Sequence, residues 1–391
     1  MIKIEKRLFR AFGQPRNWEP SQLNLQQAQA SRIYSNQAFK QSIDSERSPM
    51  LWKWTKYIGL GLAGTLGAIT LVGVLYHAVS TNIEKNKYPP IGEMVDIGGY
   101  QLHIHSQGEG SPTVVFDSGV GCTSLDWSLV QPTLAKSTRV VSYDRAGYGW
   151  SDESPLERTS ENIVKELHTL LHNAGIPGPY LLVGHSFGGI NARLFASKYP
   201  NEVAGIVLVD SSHEDILEKM PMPKPDENKI LFMSYTGCLR LFAKSQMQKS
   251  LEMFPESIQS AYLAQSMNTK LFKTCFKERA ALEKSCAQLK SVGGHIGSKP
   301  LTVISAGKTF SSEGTGYTQE QIDAIMAPFE LLQNDLVTKS TQAKRIIAEE
   351  SDHLIPRNQP KIIVDAVLEQ LNKIKEEEVG STHSLSKREI D

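Results

Sequence analysis

Cysteine is scarce in this chain, and what there is has the wrong spacing for a metal. The four residues Cys122, Cys238, Cys275 and Cys286 contain no C-x-x-C pair, which argues against a zinc site. Cys275 and Cys286 read as buried free thiols, with a bridge between them the alternative in an oxidising compartment. Net charge is also missing. Lys and Arg total 42, as do Asp and Glu, and no basic patch calls for nucleic acid. Charge is wholly absent from Tyr57 to Val79. A helix of that length crosses a hydrocarbon core, which needs about 20 apolar residues. Trp52, Trp54, Tyr57 and Tyr76 stand near its ends, where interfacial anchors sit. A secretory signal would begin closer to the N-terminus. A buried soluble helix is the alternative.

Gly59-Leu60-Gly61-Leu62-Ala63-Gly64 matches the dinucleotide pattern G-x-G-x-x-G. No strand precedes it, and it lies inside the apolar run, so the match is set aside. No cofactor or metal is expected. Gly59/Ala63 and Gly64/Ala68 are small residues four apart and suit helix packing. Lys3, Lys6, Arg7, Arg10, Arg16, Arg32, Lys40, Arg47, Lys53 and Lys56 precede the run, and only Lys85 and Lys87 follow closely. This bias favours an inside N-terminus and a large C-terminal part outside.

The expected organisation is a polar tail over 1–50, a transmembrane helix over 51–80, a domain over 81–375 and a charged tail over 376–391. The domain alternates strand and helix signals. Val95–Ile97 and Tyr100–His105 flank Gly98-Gly99 as a hairpin. Pro112–Phe116, Thr138–Tyr143, Ala204–Val209, Leu301–Ser305 and Lys344–Ala348 read as strands. Ile163, Val164, Leu167, Leu170, Leu171 and Ala174 share one helical face, ended by Gly175. Such alternation implies a mostly parallel sheet with helices on both faces. Strand signal vanishes over about 211–299. There Ile258, Leu263, Met267, Leu271, Phe272 and Phe276 could line a helical face, either turned to substrate or forming ordinary core.

Leu181-Leu182-Val183-Gly184-His185-Ser186-Phe187-Gly188-Gly189 carries the most chemistry. An apolar strand runs into a Gly-x-Ser-x-Gly turn, followed by helix-compatible sequence. A sharp strand-to-helix turn lifts a serine hydroxyl above the sheet, and small residues let its arms approach. A merely structural tight turn is the alternative. With it come Phe116-Asp117-Ser118-Gly119-Val120-Gly121, Tyr143-Asp144-Arg145-Ala146-Gly147-Tyr148-Gly149-Trp150-Ser151 and Glu350-Ser351-Asp352-His353-Leu354-Ile355-Pro356.

Together these resemble the α/β-hydrolase superfamily, in its branch of capped serine hydrolases and esterases, over roughly 95–375. The resemblance implies an α/β-hydrolase fold with a helical cap inserted before the penultimate strand. It makes Ser186 the nucleophile and His353, after the last strand, the base. Val120 and Phe187 would donate backbone N–H groups to the oxyanion. Many relatives carry His-Gly where this chain has Ser118-Gly119, but backbone donors tolerate the change. The orienting acid departs from the commonest arrangement. The loop after Leu301–Ser305 has no carboxylate until Glu313, so Asp210, after the preceding strand, is favoured. A turn or cap role is the alternative for Asp210. Asp144 and Arg145 are expected to hold the turn beside the site.

Relatives that open epoxides or remove halide use an aspartate nucleophile, which Ser186 is not. The chemistry expected is cleavage of an ester or related acyl bond of a small or lipid-like substrate. Carbon–carbon bond hydrolysis, peptidase, acyltransferase or cofactor-free haloperoxidase chemistry uses the same triad. A non-catalytic membrane-anchored binding protein is the alternative from another class.

Overall fold

The computed structural model describes residues 49–220, 225–309 and 318–388. The N-terminal polar segment 1–48 and Glu313 lie outside these. The chain divides into two units, 1–70 and 71–391. Helix α1 (Pro49–Lys87) carries the apolar run. The described part of the first unit is its helical stretch up to Thr70, with side chains exposed almost throughout.

The second unit holds one eight-stranded sheet. Its strands are β1 (Glu93–Asp96), β2 (Gln101–Gln107), β3 (Thr113–Asp117), β4 (Val140–Tyr143), β5 (Tyr180–His185), β6 (Val203–Val209), β7 (Leu301–Ala306) and β8 (Ala343–Ala348). They lie in the order β1-β2-β4-β3-β5-β6-β7-β8. Only the β1–β2 and β2–β4 pairings are antiparallel. The sheet is therefore mostly parallel, as the alternation of strand and helix signals implies.

Both faces of the sheet are covered, and the side-chain alternation of a strand distributes the core between them. Leu182 joins the cluster built by α2 (Ser160–Asn173) and α3 (Phe187–Lys198), while Leu181 and Val183 join the cluster under α11 (Pro360–Arg388). The α2 contribution is Ile163, Val164, Leu167, Leu170 and Leu171, the stripe expected from the sequence. Its helix ends before Gly175, whose φ is +64°, the left-handed stop that glycine supplies. Leu170 is fully buried, and truncation to Ala there costs about 2–5 kcal/mol. The last helix runs on to Arg388, through most of the charged tail expected over 376–391. Its Lys- and Glu-rich stretch from Lys373 to Glu378 consists of good helix formers, which extend a helix already nucleated on the core.

Between β6 and β7 lie the cap helices α4 (Ile216–Lys219), α5 (Glu227–Tyr235), α6 (Cys238–Ser250), α7 (Glu256–Ser266), α8 (Thr269–Ala280) and α9 (Leu282–Ser291). Helix α10 (Gln319–Val337) connects β7 to β8. The apolar stripe of the cap turns inward. Ile258 and Leu263 pack on Leu125, Leu251, Phe254 and Tyr262, and Met267 is buried. Ile258, Leu263, Met267 and Phe276 thus take the second of the two roles the sequence leaves open, that of cap core.

The end of α1 docks on this cap. Thr236 O would lie 2.3 Å from a Cβ placed on Gly73, so only glycine admits this approach. Arg240 donates to Glu84 Oε1 at 2.6 Å, to Thr81 Oγ1 at 2.9 Å and to His77 Nδ1 at 3.2 Å. With Nδ1 accepting, His77 Nε2 donates to Thr269 Oγ1 at 2.9 Å. Thirty-nine helical residues extend about 58 Å, far more than the ~30 Å of a hydrocarbon core. From Gly73 onward the helix packs against the folded domain. The apolar run to Val79 is thus not wholly available to lipid, since His77 is buried against the cap.

Candidate active site

Ser186 sits between β5 and α3 with φ +53° and ψ −121°, a strained conformation for a residue with a side chain. The crossing arms explain why glycines flank it. A Cβ on Gly184 would lie 2.6 Å from Gly188 O, and one on Gly188 would lie 2.2 Å from Asp117 O. The strained turn is fixed from both sides: Ser186 N donates to Val209 O at 3.1 Å, and Ser212 N donates to Ser186 O at 2.9 Å.

Asp210 follows β6 directly and is the other described non-glycine residue at positive φ, +41°. Its backbone N–H donates to Ile304 O at 2.7 Å, and its Oδ1 accepts from Ala306 N at 2.9 Å. Oδ2 is left for His353, whose Nδ1 lies 2.6 Å away. The carboxylate is buried, while the imidazole is partly exposed. Of the two sequence candidates for the acid, Asp210 is in contact with His353, and Glu313 lies outside the described residues. The exit of β7 is occupied differently. Gly307 N and Lys308 N donate to Ser351 O, the latter at 3.0 Å, which closes that exit against the histidine loop.

His185 packs beside His353, ring centroids 4.9 Å apart, and its Nε2 faces His353 O at 2.9 Å. A carbonyl can only accept, so Nε2 carries the hydrogen. Burial and the neighbouring His353 push the pKa of His185 down to about 3. It is a neutral spacer that holds the histidine loop by its backbone.

The loop after β3 lies on the elbow: a Cβ on Gly119 would meet Ser186 Cβ at 3.1 Å. Ser118, which stands where many relatives have histidine, turns inward. Its Oγ accepts from Trp127 Nε1 at 2.8 Å and donates to Thr123 O at 3.1 Å. Arg145 holds the loop backbone. It donates to Ser118 O, to Gly119 O at 2.9 Å, to Asp117 Oδ1 at 2.7 Å and to Glu278 Oε1 on α8 at 2.8 Å. Burial opposes the charge of Arg145, but Glu278 and Asp117 hold its pKa above the ordinary arginine value. Since a trans peptide sets C=O and N–H on opposite sides, pinning Gly119 O on Arg145 aims the N–H of Val120 away from it. Asp144 accepts from Ser124 N at 2.7 Å and Trp150 N at 3.1 Å, and pairs with His103 at 2.9 Å. It braces the turn as expected, whereas Arg145 reaches across to the cap.

A cavity of about 220 Å³ opens over Ser186. Gly119, Val120, Phe187 and His353 line it from the sheet side, and Ile216, Glu278, Arg279 and Leu282 from the cap. None of the six stripe residues, Ile258 to Phe276, reaches it. The cap side was missed in the sequence because its members are spread over three short helices, α4, α8 and α9, and form no periodic stripe of their own. Cys122 also lines it, and Cys275 lies close to the same loop. Burial pushes both thiols up, Cys275 to about 11, so neither is a ready thiolate nucleophile. All four cysteines are free, which leaves Cys275 and Cys286 unbridged. Among the described residues no cluster of His, Cys, Asp or Glu could hold a metal ion.

This constellation on this sheet is that of a hydrolase of the α/β class. The profile of the alpha/beta hydrolase fold matches residues 112–367, and the chain belongs to that family. It is 28% identical to the uncharacterised protein YqjL of Bacillus subtilis over 268 residues, 68% of this chain and 87% of that one. It is 30% identical to YbdG of the same organism over 162 residues, 41% of this chain and half the length of YbdG. An uncharacterised vacuolar membrane protein of Saccharomyces cerevisiae is 29% identical over 163 residues, 37% of this chain and 25% of that one. Among solved structures, the epoxide hydrolase CorEH superposes with TM-score 0.53 at 16% identity, covering 72% of this chain and 98% of that one. A thermophilic esterase from Thermogutta terrifontis does so with 0.50 at 20%, covering 72% and 98%. At these identities the likeness is one of fold.

Proposed function

We propose that this protein is a serine hydrolase that cleaves an ester or related acyl bond through a covalent Ser186 intermediate. The observation that carries the reading is the Asp210–His353 hydrogen bond of 2.6 Å, with His353 lining the same cavity as Ser186. Asp210 holds Nδ1 of His353, and Nε2 acts as the base. Ser186 Oγ loses its proton to Nε2 as it bonds to the acyl carbon. The carbonyl oxygen becomes an oxyanion held by the N–H groups of Val120 and Phe187, and the first of these is aimed by the Arg145 clamp. One such donor contributes about 3 kcal/mol to the transition state. Collapse of the intermediate returns the proton to the leaving alcohol, and water repeats the sequence to free the acid. An epoxide-opening reading lacks support at the elbow, where the side chain is a serine hydroxyl.

The same reading makes the chain a single-pass membrane protein, anchored through the helix that begins before Tyr57. This helix is long and apolar enough to cross a bilayer, and the yeast relative named above is described as a vacuolar membrane protein. The Lys and Arg excess before the helix favours a catalytic domain on the non-cytoplasmic side. A lipid-like acyl substrate suits an enzyme so placed.

Labelling with a fluorophosphonate tests the central claim. Wild-type protein is expected to label at Ser186, while Ser186→Ala and His353→Ala are not. A folded wild-type protein that resists the probe would leave the fold as a binding scaffold.

A further inference from the structure

We infer that the tip of the cap, the end of α5, its turn and the start of α6, is itself seated in the lipid bilayer. The proposal rests on the anchor reading above and is independent of the chemistry at Ser186. From Ile230 to Phe242 the sequence is Ile-Leu-Phe-Met-Ser-Tyr-Thr-Gly-Cys-Leu-Arg-Leu-Phe, with a single charge. That charge is hidden: Arg240 is buried and spent on Glu84, Thr81 and His77. The apolar side chains do the opposite. Phe242 is 73% exposed, Leu241 65% and Phe232 59%, with Tyr235 also exposed. A surface that buries its arginine and presents its phenylalanines inverts the order expected in water. It is the order expected against hydrocarbon.

The position of the tip says what covers it. The turn at Thr236-Gly237 packs on Gly73, Tyr76 and His77 of α1. These three residues belong to the charge-free run Tyr57–Val79. A helix rises about 1.5 Å per residue, so Gly73 lies about 9 Å inside the end of that run, within the hydrocarbon or at its boundary. Beside the docking point Leu71, Val72 and Leu75 of α1 are exposed as well, so helix and tip form one apolar face. Charged side chains resume on either flank, with exposed Asp226, Glu227 and Lys229 at the start of α5. Lys273 stacks over Tyr235 at 5.2 Å, a placement suited to headgroup phosphate. A bilayer, rather than a second protein chain, is the occupant that this continuity selects.

Full-length protein in vesicles of palmitoyl-oleoyl-phosphatidylcholine provides the test. The photoreactive residue p-benzoylphenylalanine is placed in turn at Phe242, at Leu66 within the anchor, and at Leu331. Leu331 is as exposed as Phe242 at 71% but lies on α10. After irradiation, adducts are identified by mass. Phospholipid adducts at Phe242 and Leu66, at least tenfold above Leu331, are the expected result. Adducts at Leu66 with none at Phe242 would overturn the proposal and leave the anchor standing. Adducts at neither position would remove the anchor and the proposal together. Protein–protein adducts in place of lipid at Phe242 would assign the tip to a second copy of the chain.

Discussion

Arg145 Nε donates to Glu278 Oε1 at 2.8 Å, although the two residues are 133 positions apart. The same guanidinium holds the carbonyls of Ser118 and Gly119. The cap is thereby tied to the loop that supplies a proposed oxyanion donor. Arg145→Lys keeps the charge but cannot replace a fork that serves four partners. It is expected to lower kcat on p-nitrophenyl esters about 10- to 100-fold, approaching the loss of one oxyanion donor. KM should move little, because the donor acts on the transition state. A change confined to KM, with kcat intact, would assign the clamp to substrate binding instead.

Ser186→Ala is expected to abolish hydrolysis of short p-nitrophenyl esters with the fold intact. The hydroxyl supplies the bond to the acyl group, while the strained backbone is fixed by hydrogen bonds from Ser186 N to Val209 O and from Ser212 N to Ser186 O. Circular dichroism and thermal melting should match the wild type. Near-full activity in this variant would refute the nucleophile assignment.

Asp210→Asn is expected to reduce turnover by about 10³ to 10⁴, since a neutral isostere favours the wrong imidazole tautomer and leaves the imidazolium uncompensated. Glu313→Gln should leave turnover within a few-fold. The crippled variant of the two identifies the acid, and a loss confined to Glu313→Gln would move it to the later loop.

Much of this was legible in the sequence because local rules dominate there. The stripe Ile163–Leu171 and the glycines of the elbow require nothing beyond periodicity and close approach. The approach of Asp210 to His353 was readable as well, since a carboxylate at a strand end has a fixed address in a parallel sheet. The cap was not. Glu278, Arg279 and Leu282 reach the cavity from two consecutive short helices, and their neighbours Phe272 and Phe276 show the stronger hydrophobic signal. The pairing of Arg145 with Glu278 depends on a tertiary approach that no local pattern encodes. The end of the membrane run was obscured for the same reason, because Gly73 and His77 look like lipid-facing residues until Thr236 and Thr269 are placed beside them.

Glu214 should make stability pH-dependent in acid. Burial opposes its charge, but Arg193, at 2.6 and 2.9 Å, outweighs that and lowers its pKa from 4.5 to about 2. A carboxyl with a depressed folded pKa stabilises above its unfolded value and loses that contribution as pH falls through the folded one. The difference is about 3 kcal/mol, present above pH ~5 and lost progressively toward pH ~2. Glu214→Gln should therefore lower the urea midpoint at pH 7 and flatten its decline between pH 5 and 3. An unchanged slope in the variant would show that other carboxylates control acid unfolding.

Topology yields to protease added from one side. The basic residues from Lys3 to Lys56 precede the apolar run and only Lys85 and Lys87 follow it closely, and cytoplasmic flanks retain such an excess. On that rule the domain after α1 is expected outside the cytoplasm, on the side of the extracytoplasmic or membrane-borne esters proposed as its substrates. Protease applied to sealed cells or spheroplasts should digest the C-terminal domain and spare an N-terminal tag. Cleavage of the tag with protection of the domain reverses the orientation and places the Ser186 cavity on the cytoplasmic side. Recovery of the full-length chain in the soluble fraction without detergent removes the anchor, and the exposed faces of α1 would then need a protein partner.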